Sequence, residues 1–211
     1  MHRNSNGGTI AVIMTIIVVG GLVYLGVSKG GSTAPIPSDT TSSDGHHGVT
    51  SGPYADLQSM VGKPAPDFLL TDHNGSKYSL ASLKGKNVVL FFNEGMMCYP
   101  ACWNQIAVLG SDERFSADGV VTLSVVVDSR SEWDKAVSQM PELARAIVVH
   151  DTNGAVSSKY GMLTTKSSMH YGQLPGHSYV VIDKQGIIRH VYDDANMAIH
   201  NDQLVGELAK L

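Results

Sequence analysis

An α/β fold, a mixed central sheet flanked by helices and preceded by one transmembrane helix, is predicted by three features of this 211-residue chain. Short apolar runs at 88–92, 120–127, 146–150 and 179–183 alternate with stretches of helical spacing, the order of a sheet covered by helices. The run at 88–92, Val-Val-Leu-Phe-Phe, has no polar interruption, as expected of a strand buried on both faces. Residues 9–28 carry no charge over close to the roughly 20 residues a membrane-crossing helix needs.

The chain divides accordingly. Residues 1–8 form a short tail, 9–28 the expected anchor, 29–59 a linker and 60–211 the folded domain. A cleaved signal peptide is the rival reading of 9–28, but its apolar core would be about 7–15 residues long, and the candidate site at Ser32-Thr-Ala34 is followed by Pro35. Arg3 and the amino terminus on one side against Lys29 on the other put the N-terminus in the cytoplasm and the domain on the extracytoplasmic side. The linker is Gly, Ser, Thr and Pro with few large apolar residues, too little to offset the entropy of ordering it.

Within the domain, Pro64 and Pro66 block helix and lead into a strand at 68–70, and Asp72-His-Asn-Gly75 supplies a hairpin turn. Ser82-Leu-Lys-Gly85 makes a helical turn stopped by glycine, followed by the strand at 88–92. Residues 100–109 have helical spacing and end at Gly110; 120–127 is the next strand. A helix opens at Ser131-Glu-Trp-Asp with a serine cap and an acidic first turn. A strand at 146–150, a short helix at 155–160 closed by Gly161, strands at 179–183 and 187–192 joined by Lys184-Gln-Gly186, and a helix at 202–211 complete the domain.

A formal net charge of −4 with no Lys/Arg run excludes nucleic acid as a partner class. The chemistry is concentrated in the chain's two cysteines, Cys98 and Cys102. Tyr99 before a proline is pushed to extended backbone, and Pro100 suits a first helical position, so the helix is expected to begin there. Cys98 then stands just outside the helix and Cys102 in its first turn. The free N–H groups and positive pole of the helix would favour a thiolate at Cys98, the expected nucleophile, with Cys102 within disulfide reach. A bracing disulfide is the bland reading, but so short a loop removes little unfolded-state entropy. Two cysteines this close, in an oxidising compartment, suit redox work.

Gly62-Lys-Pro-Ala-Pro-Asp-Phe68, the buried strand into the cysteine motif, Asp151-Thr-Asn-Gly-Ala-Val-Ser-Ser-Lys-Tyr-Gly161 and Ser178-Tyr-Val-Val-Ile-Asp-Lys-Gln-Gly-Ile-Ile-Arg189 resemble the redoxin, or AhpC/TSA-like, group of the thioredoxin superfamily. The resemblance implies a thioredoxin-like fold and one of three activities. Cys98 would attack a partner protein's disulfide and Cys102 resolve the mixed intermediate, with no cofactor required. Alternatively Cys98 would attack a hydroperoxide and Cys102 condense with the sulfenic acid. Peroxiredoxins of this group carry a proline and a threonine seven and three residues before the attacking cysteine, where this chain has Phe91 and Gly95, and an arginine where it has His177. The Cys-x-x-x-Cys spacing is similar to that of copper-delivery proteins of the Sco type, which implies a copper site of Cys98, Cys102 and His177.

By the same resemblance, Leu174-Pro-Gly-His177 falls against the cysteines, so His177 is expected beside Cys98 as acid/base or ligand, and Pro175 at the superfamily's cis-proline position. Glu94 and Asn93 are expected to orient a proton or a substrate amide, with Trp103 walling the pocket; Met96 and Met97 are spare thioethers that usually pack. His46-His47 in the linker is a weak candidate for transient metal binding, while His170, Met197 and His200 are scattered in sequence and reach the site only through the fold.

Overall fold

The structure is a computed structural model and describes residues 52–117 and 119–211. The expected anchor at 9–28 and most of the linker lie outside the described residues; among these, no helix is long and apolar enough to cross a membrane. The last linker residues are part of the domain. Ala55 N–H donates to the Thr164 carbonyl (3.0 Å), the Tyr171 hydroxyl donates to that of Pro53 (2.7 Å), and Leu57 packs on the core. A boundary at residue 60 is therefore too late, because Tyr54 and Leu57 supply apolar surface that a Ser/Gly count overlooks.

Seven strands form one mixed sheet in the order β2-β1-β5-β4-β3-β6-β7, where β1 is Leu69–Asp72, β2 Lys77–Ser79, β3 Asn87–Phe92, β4 Val120–Val126, β5 Val148–His150, β6 Ser178–Ile182 and β7 Ile188–Asp193. The parallel centre β3-β4-β5 is bordered by antiparallel β1 and β6. Every residue of β3 is buried, as its uninterrupted apolar run requires. Alternation along β3 sorts the core into two layers. Val88, Leu90 and Phe92 face one, with Tyr160 and Met162; Val89 and Phe91 face the other, with both cysteines.

The cysteine layer is roofed by helices α1 (Ala101–Ser111), α2 (Arg130–Gln139) and α4 (Asn201–Leu208), which contribute Trp103, Ile106 and Leu109, Trp133 and Ala136, and Leu204. Helix α3 (Ala155–Lys159) lies on the opposite layer through Val156. The cap of α2 is Ser129 rather than Ser131. Ser129 and Glu132 form a reciprocal capping box, each side chain bonding the other's backbone N–H, which a serine one residue into the helix cannot do. Strand β5 begins two residues later than the apolar run, because Ala146 still closes the 3₁₀ turn Pro141–Arg145 through its bond to Leu143.

The redox site around Cys98 and Cys102

Strand β3 delivers the chain to the edge of the sheet, and a 3₁₀ turn, Gly95–Cys98, carries it to α1. Local bonds build that turn. Asn93 Oδ1 accepts from Gly95 N–H (3.0 Å), Asp128 Oδ2 accepts from Met96 N–H (3.1 Å), and the Trp103 indole donates back to the Gly95 carbonyl (3.0 Å). Gly95 has φ +56°, and a Cβ there would collide with the Asp128 carboxylate, so this position takes only glycine. Pro100 caps α1 instead of starting it, following a cis Tyr99–Pro100 bond; the first helical residue is Ala101.

Cys98 and Cys102 are joined by a disulfide with Cα atoms 5.3 Å apart, the reach expected from their spacing. The expected exposed nucleophile is instead buried. Cys98 is 2% exposed and Cys102 fully covered, because the 3₁₀ turn folds Cys98 into the core layer while Met97 and Tyr99 on either side of it stay exposed.

His177 lies against the disulfide, nearer Cys102, with Nδ1 3.4 Å from that sulfur and the Cys98 sulfur within 4.8 Å of the ring. Sheet register explains the placement. Antiparallel pairing of Phe92 with Ser178 sets His177 just past the end of β3, under the start of α1. Phe91 and Tyr179, cross-strand partners, stack at 4.7 Å and the imidazole stands edge-on to Phe91. The imidazole Nε2 is 3.2 Å from the Ala198 carbonyl, which can only accept, and 2.8 Å from the Tyr179 hydroxyl. The proton therefore sits on Nε2 and the Nδ1 lone pair faces Cys102. Burial pushes the His177 pKa down to about 4 and lifts the Tyr179 hydroxyl far above its ordinary value, so both are neutral near pH 7.

Asp194, at the end of β7, holds this arrangement. Its carboxylate accepts from Asn196 N–H (2.9 Å), Ala198 N–H (2.7 Å) and the His200 ring (2.7 Å), while its own N–H donates to the His177 carbonyl (3.0 Å). The loop so pinned brings the Ala198 carbonyl to His177 and the Met197 thioether to 3.7 Å from the Cys98 sulfur. Met197 does so at φ +52°, the one non-glycine residue with positive φ among the described residues. Such backbone costs roughly 1 kcal/mol or more in an L-residue.

Other expected site residues have different places. Glu94, 1% exposed, is not free for substrate: it accepts from Met169 N–H (2.6 Å) and His170 N–H (3.0 Å) and pairs with the His170 ring (2.9 Å). His170 is thus committed to Glu94. Pro175 is buried and not in the cis form; the cis bond is at Pro100. Next to it, Gly176 runs so close to the Thr165 and Ser167 hydroxyls that a Cβ would clash. Trp103 packs in the core, edge-on to Tyr99, while Met97 is exposed and Met96 packs. Tyr179, Asp194 and the Ala198 carbonyl were not expected. Strand alternation places residues 177 and 179 on one face, so Tyr179 was within reach of pattern reasoning; nothing in the sequence signals the other two.

A buried disulfide at the strand-to-helix junction of a mixed sheet, with an imidazole on one sulfur, agrees with what the family comparison finds: the AhpC/TSA family pattern matches residues 61–191. The chain belongs to the AhpC/TSA family. Among its relatives, chloroplastic peroxiredoxin Q of Triticum aestivum is 28% identical over 71% of this chain and 65% of its own length. Peroxiredoxin Bcp of Escherichia coli is 27% identical over 70% of this chain and 94% of its own. The chain thus spans less than two thirds of the wheat relative. The crystal structure of a peroxiredoxin-like protein from Aquifex aeolicus superposes with a TM-score of 0.60 at 17% identity, over 75% of this chain and 89% of that one, and shows that the AhpC/TSA domain here has the thioredoxin-like fold. This member of the family carries its two cysteines bonded to each other at that junction.

Proposed function

We propose that this AhpC/TSA protein is a thiol-disulfide oxidoreductase that exchanges electrons with a protein partner, tethered to a membrane by residues 9–28 with its domain on the extracytoplasmic side. The observation that carries the reading is the asymmetry of the disulfide: an imidazole lone pair faces Cys102 and a thioether faces Cys98. In the reduced domain the Cys98 thiolate attacks one sulfur of the partner's disulfide, and the departing partner thiolate takes up a proton. Cys102, its thiol turned toward the His177 Nδ1 lone pair, then gives up its proton to solvent and attacks the Cys98 sulfur. This closes the Cys98–Cys102 disulfide, and the second partner thiolate leaves and is protonated. Two protein thiols become one disulfide while the partner's disulfide becomes two thiols, and the reverse sequence oxidises a partner.

Substitution separates the roles. Cys98→Ser should abolish reduction of a model disulfide, and Cys102→Ser should accumulate a mixed disulfide at Cys98, visible by mass spectrometry of the intact protein. A Cys98→Ser variant with full activity would overturn the proposal.

Two further readings each rest on one observation. The names of the wheat and Escherichia coli relatives favour a thiol peroxidase. Against it, position 95 has no room for a hydroxyl-bearing side chain and Phe91 lies under the His177 ring, so the usual donors to a peroxide O–O bond are missing. Rapid stoichiometric consumption of hydrogen peroxide by the reduced domain would establish it. Soft-metal binding is favoured by the ligand atoms of Cys98, Cys102 and His177, all within 4.8 Å of one another. Two thiolates and an imidazole suit copper. This reading predicts a one-to-one copper complex of the reduced protein that is lost in His177→Ala.

A further inference from the structure

A second imidazole pair stands at the same edge of the sheet, separate from the cysteines. His150 ends β5, and His73 lies in the β1–β2 turn. The His150 Nδ1 is 2.8 Å from the Asp128 carbonyl, an acceptor only, so that nitrogen bears the proton and Nε2 the lone pair. His73 Nε2 is 3.1 Å from an Asp134 carboxylate oxygen, also an acceptor, which leaves the lone pair on Nδ1. Both lone-pair nitrogens are buried, and neither has a hydrogen-bond partner among the described residues. The rings are 6.2 Å apart between centroids and tilted by 54°.

Two buried lone pairs cannot satisfy each other, and an unpaired buried polar atom costs about 1–3 kcal/mol. We propose that His73 Nδ1 and His150 Nε2 together bind one first-row divalent transition-metal ion, with zinc as the type case. With Zn–N bonds of about 2.0–2.1 Å, two imidazoles on one tetrahedral ion have centroids roughly 5 Å apart, so this pair closes by about 1 Å to share an ion, a movement the surface turn that holds His73 allows. Each ring also has the outer partner that ligating histidines have, a carbonyl for His150 and a carboxylate for His73, which sets the tautomer and strengthens the donor nitrogen. Two carboxylates favour a cation, those of Asp72 beside His150 and Asp134 on His73, opposed by Arg130, which donates to the His73 carbonyl. Water or a carboxylate oxygen would complete the coordination.

The test uses the full-length oxidised protein, in which the disulfide withholds both thiolates, with His46→Ala and His47→Ala to silence the pair in the linker. Titration with zinc, and with cobalt(II) read by visible absorbance, should give one equivalent bound and a rise in the thermal midpoint with added metal. His73→Gln and His150→Gln should each weaken binding by about tenfold or more and remove that rise. His73 is in a surface turn, so its variant keeps the test informative if His150→Gln fails to fold. No uptake at about millimolar zinc, as for a pair bridged by water, would overturn the proposal, and so would uptake unchanged in both variants.

Discussion

Glu94 and Asp194 sit buried at the roots of two loops, and each accepts two backbone N–H groups and one imidazole. The loops differ in what they deliver. Glu94 ties down the segment around Met169 and His170, none of whose side chains reaches the sulfurs, so its role is to hold the approach to His177. The Asp194 loop brings a thioether onto Cys98 and a carbonyl onto the imidazole that faces Cys102. The same carboxylate chemistry therefore braces the scaffold in one place and sets a proton's position in the other.

The comparison can be broken by substitution. Glu94→Ala should have the largest effect on stability, about 3–5 kcal/mol by urea denaturation, because it removes a buried carboxylate that two amides and an imidazole share. Its disulfide-exchange rate per folded molecule should fall less than that of Asp194→Asn.

Next in size is a pH effect centred on His177. The unfolded chain takes up this proton near pH 6.5 and the folded one only near pH 4, so folding stability falls by about 3 kcal/mol as pH drops through that window and levels off below it. His150 and His190 are shifted the same way by burial, so the difference in urea midpoint between the wild-type protein and His177→Gln across pH 7 to 4 isolates the term. The Asp194 carboxyl is lowered, chiefly by its bonds to His200 and the loop amides acting against burial. Its contribution is present above the ordinary carboxylate range and disappears only as pH falls further, so the two clamps of the site fail in separate windows.

Asp194→Asn should cost about 2 kcal/mol, since the amide cannot accept all three bonds, and should slow closure of the Cys98–Cys102 disulfide by roughly tenfold in stopped-flow thiol exchange. A variant with unaltered closure would reduce Asp194 to a loop brace like Glu94. Smallest of all, Met197→Gly removes the positive-φ penalty but also a core contact, leaving stability within about 1 kcal/mol. With the thioether gone from Cys98, a small dithiol should reduce the disulfide several-fold faster, and an unchanged rate would show that Met197 does not shield the sulfur.

Much of the scaffold was legible because it is encoded locally. The β3 run announced a strand buried on both faces; Gly85 and Gly161 marked their stops; Cys98 and Cys102 were at disulfide reach by spacing alone. Errors of one or two residues arose where competing caps were near, as at Ser129 and Ser131. That His177 stands beside the cysteine pair was legible as well, but which of the two sulfurs it sits nearer was not. Whether an imidazole meets Cys98 or Cys102 depends on β3–β6 register and on how the 3₁₀ turn buries Cys98, and neither is a property of the residues near 98 or 177 taken alone. Glu94 likewise reads as a group free to orient a substrate until the segment at 168–170 folds over it.

By itself, the order of residues along the chain determined the α/β class, the two-cysteine motif and the lack of any Lys/Arg run, since period, length and turn chemistry act over a few neighbouring residues. Only the tertiary structure decided which sulfur meets the imidazole, which ring nitrogen holds the proton and which carboxylate enforces it. Those outcomes rest on contacts between residues 75 or more positions apart in some cases, such as Cys102 with His177 and Cys98 with Met197. Strand order and register create such contacts, and a low-dielectric interior gives them their consequences.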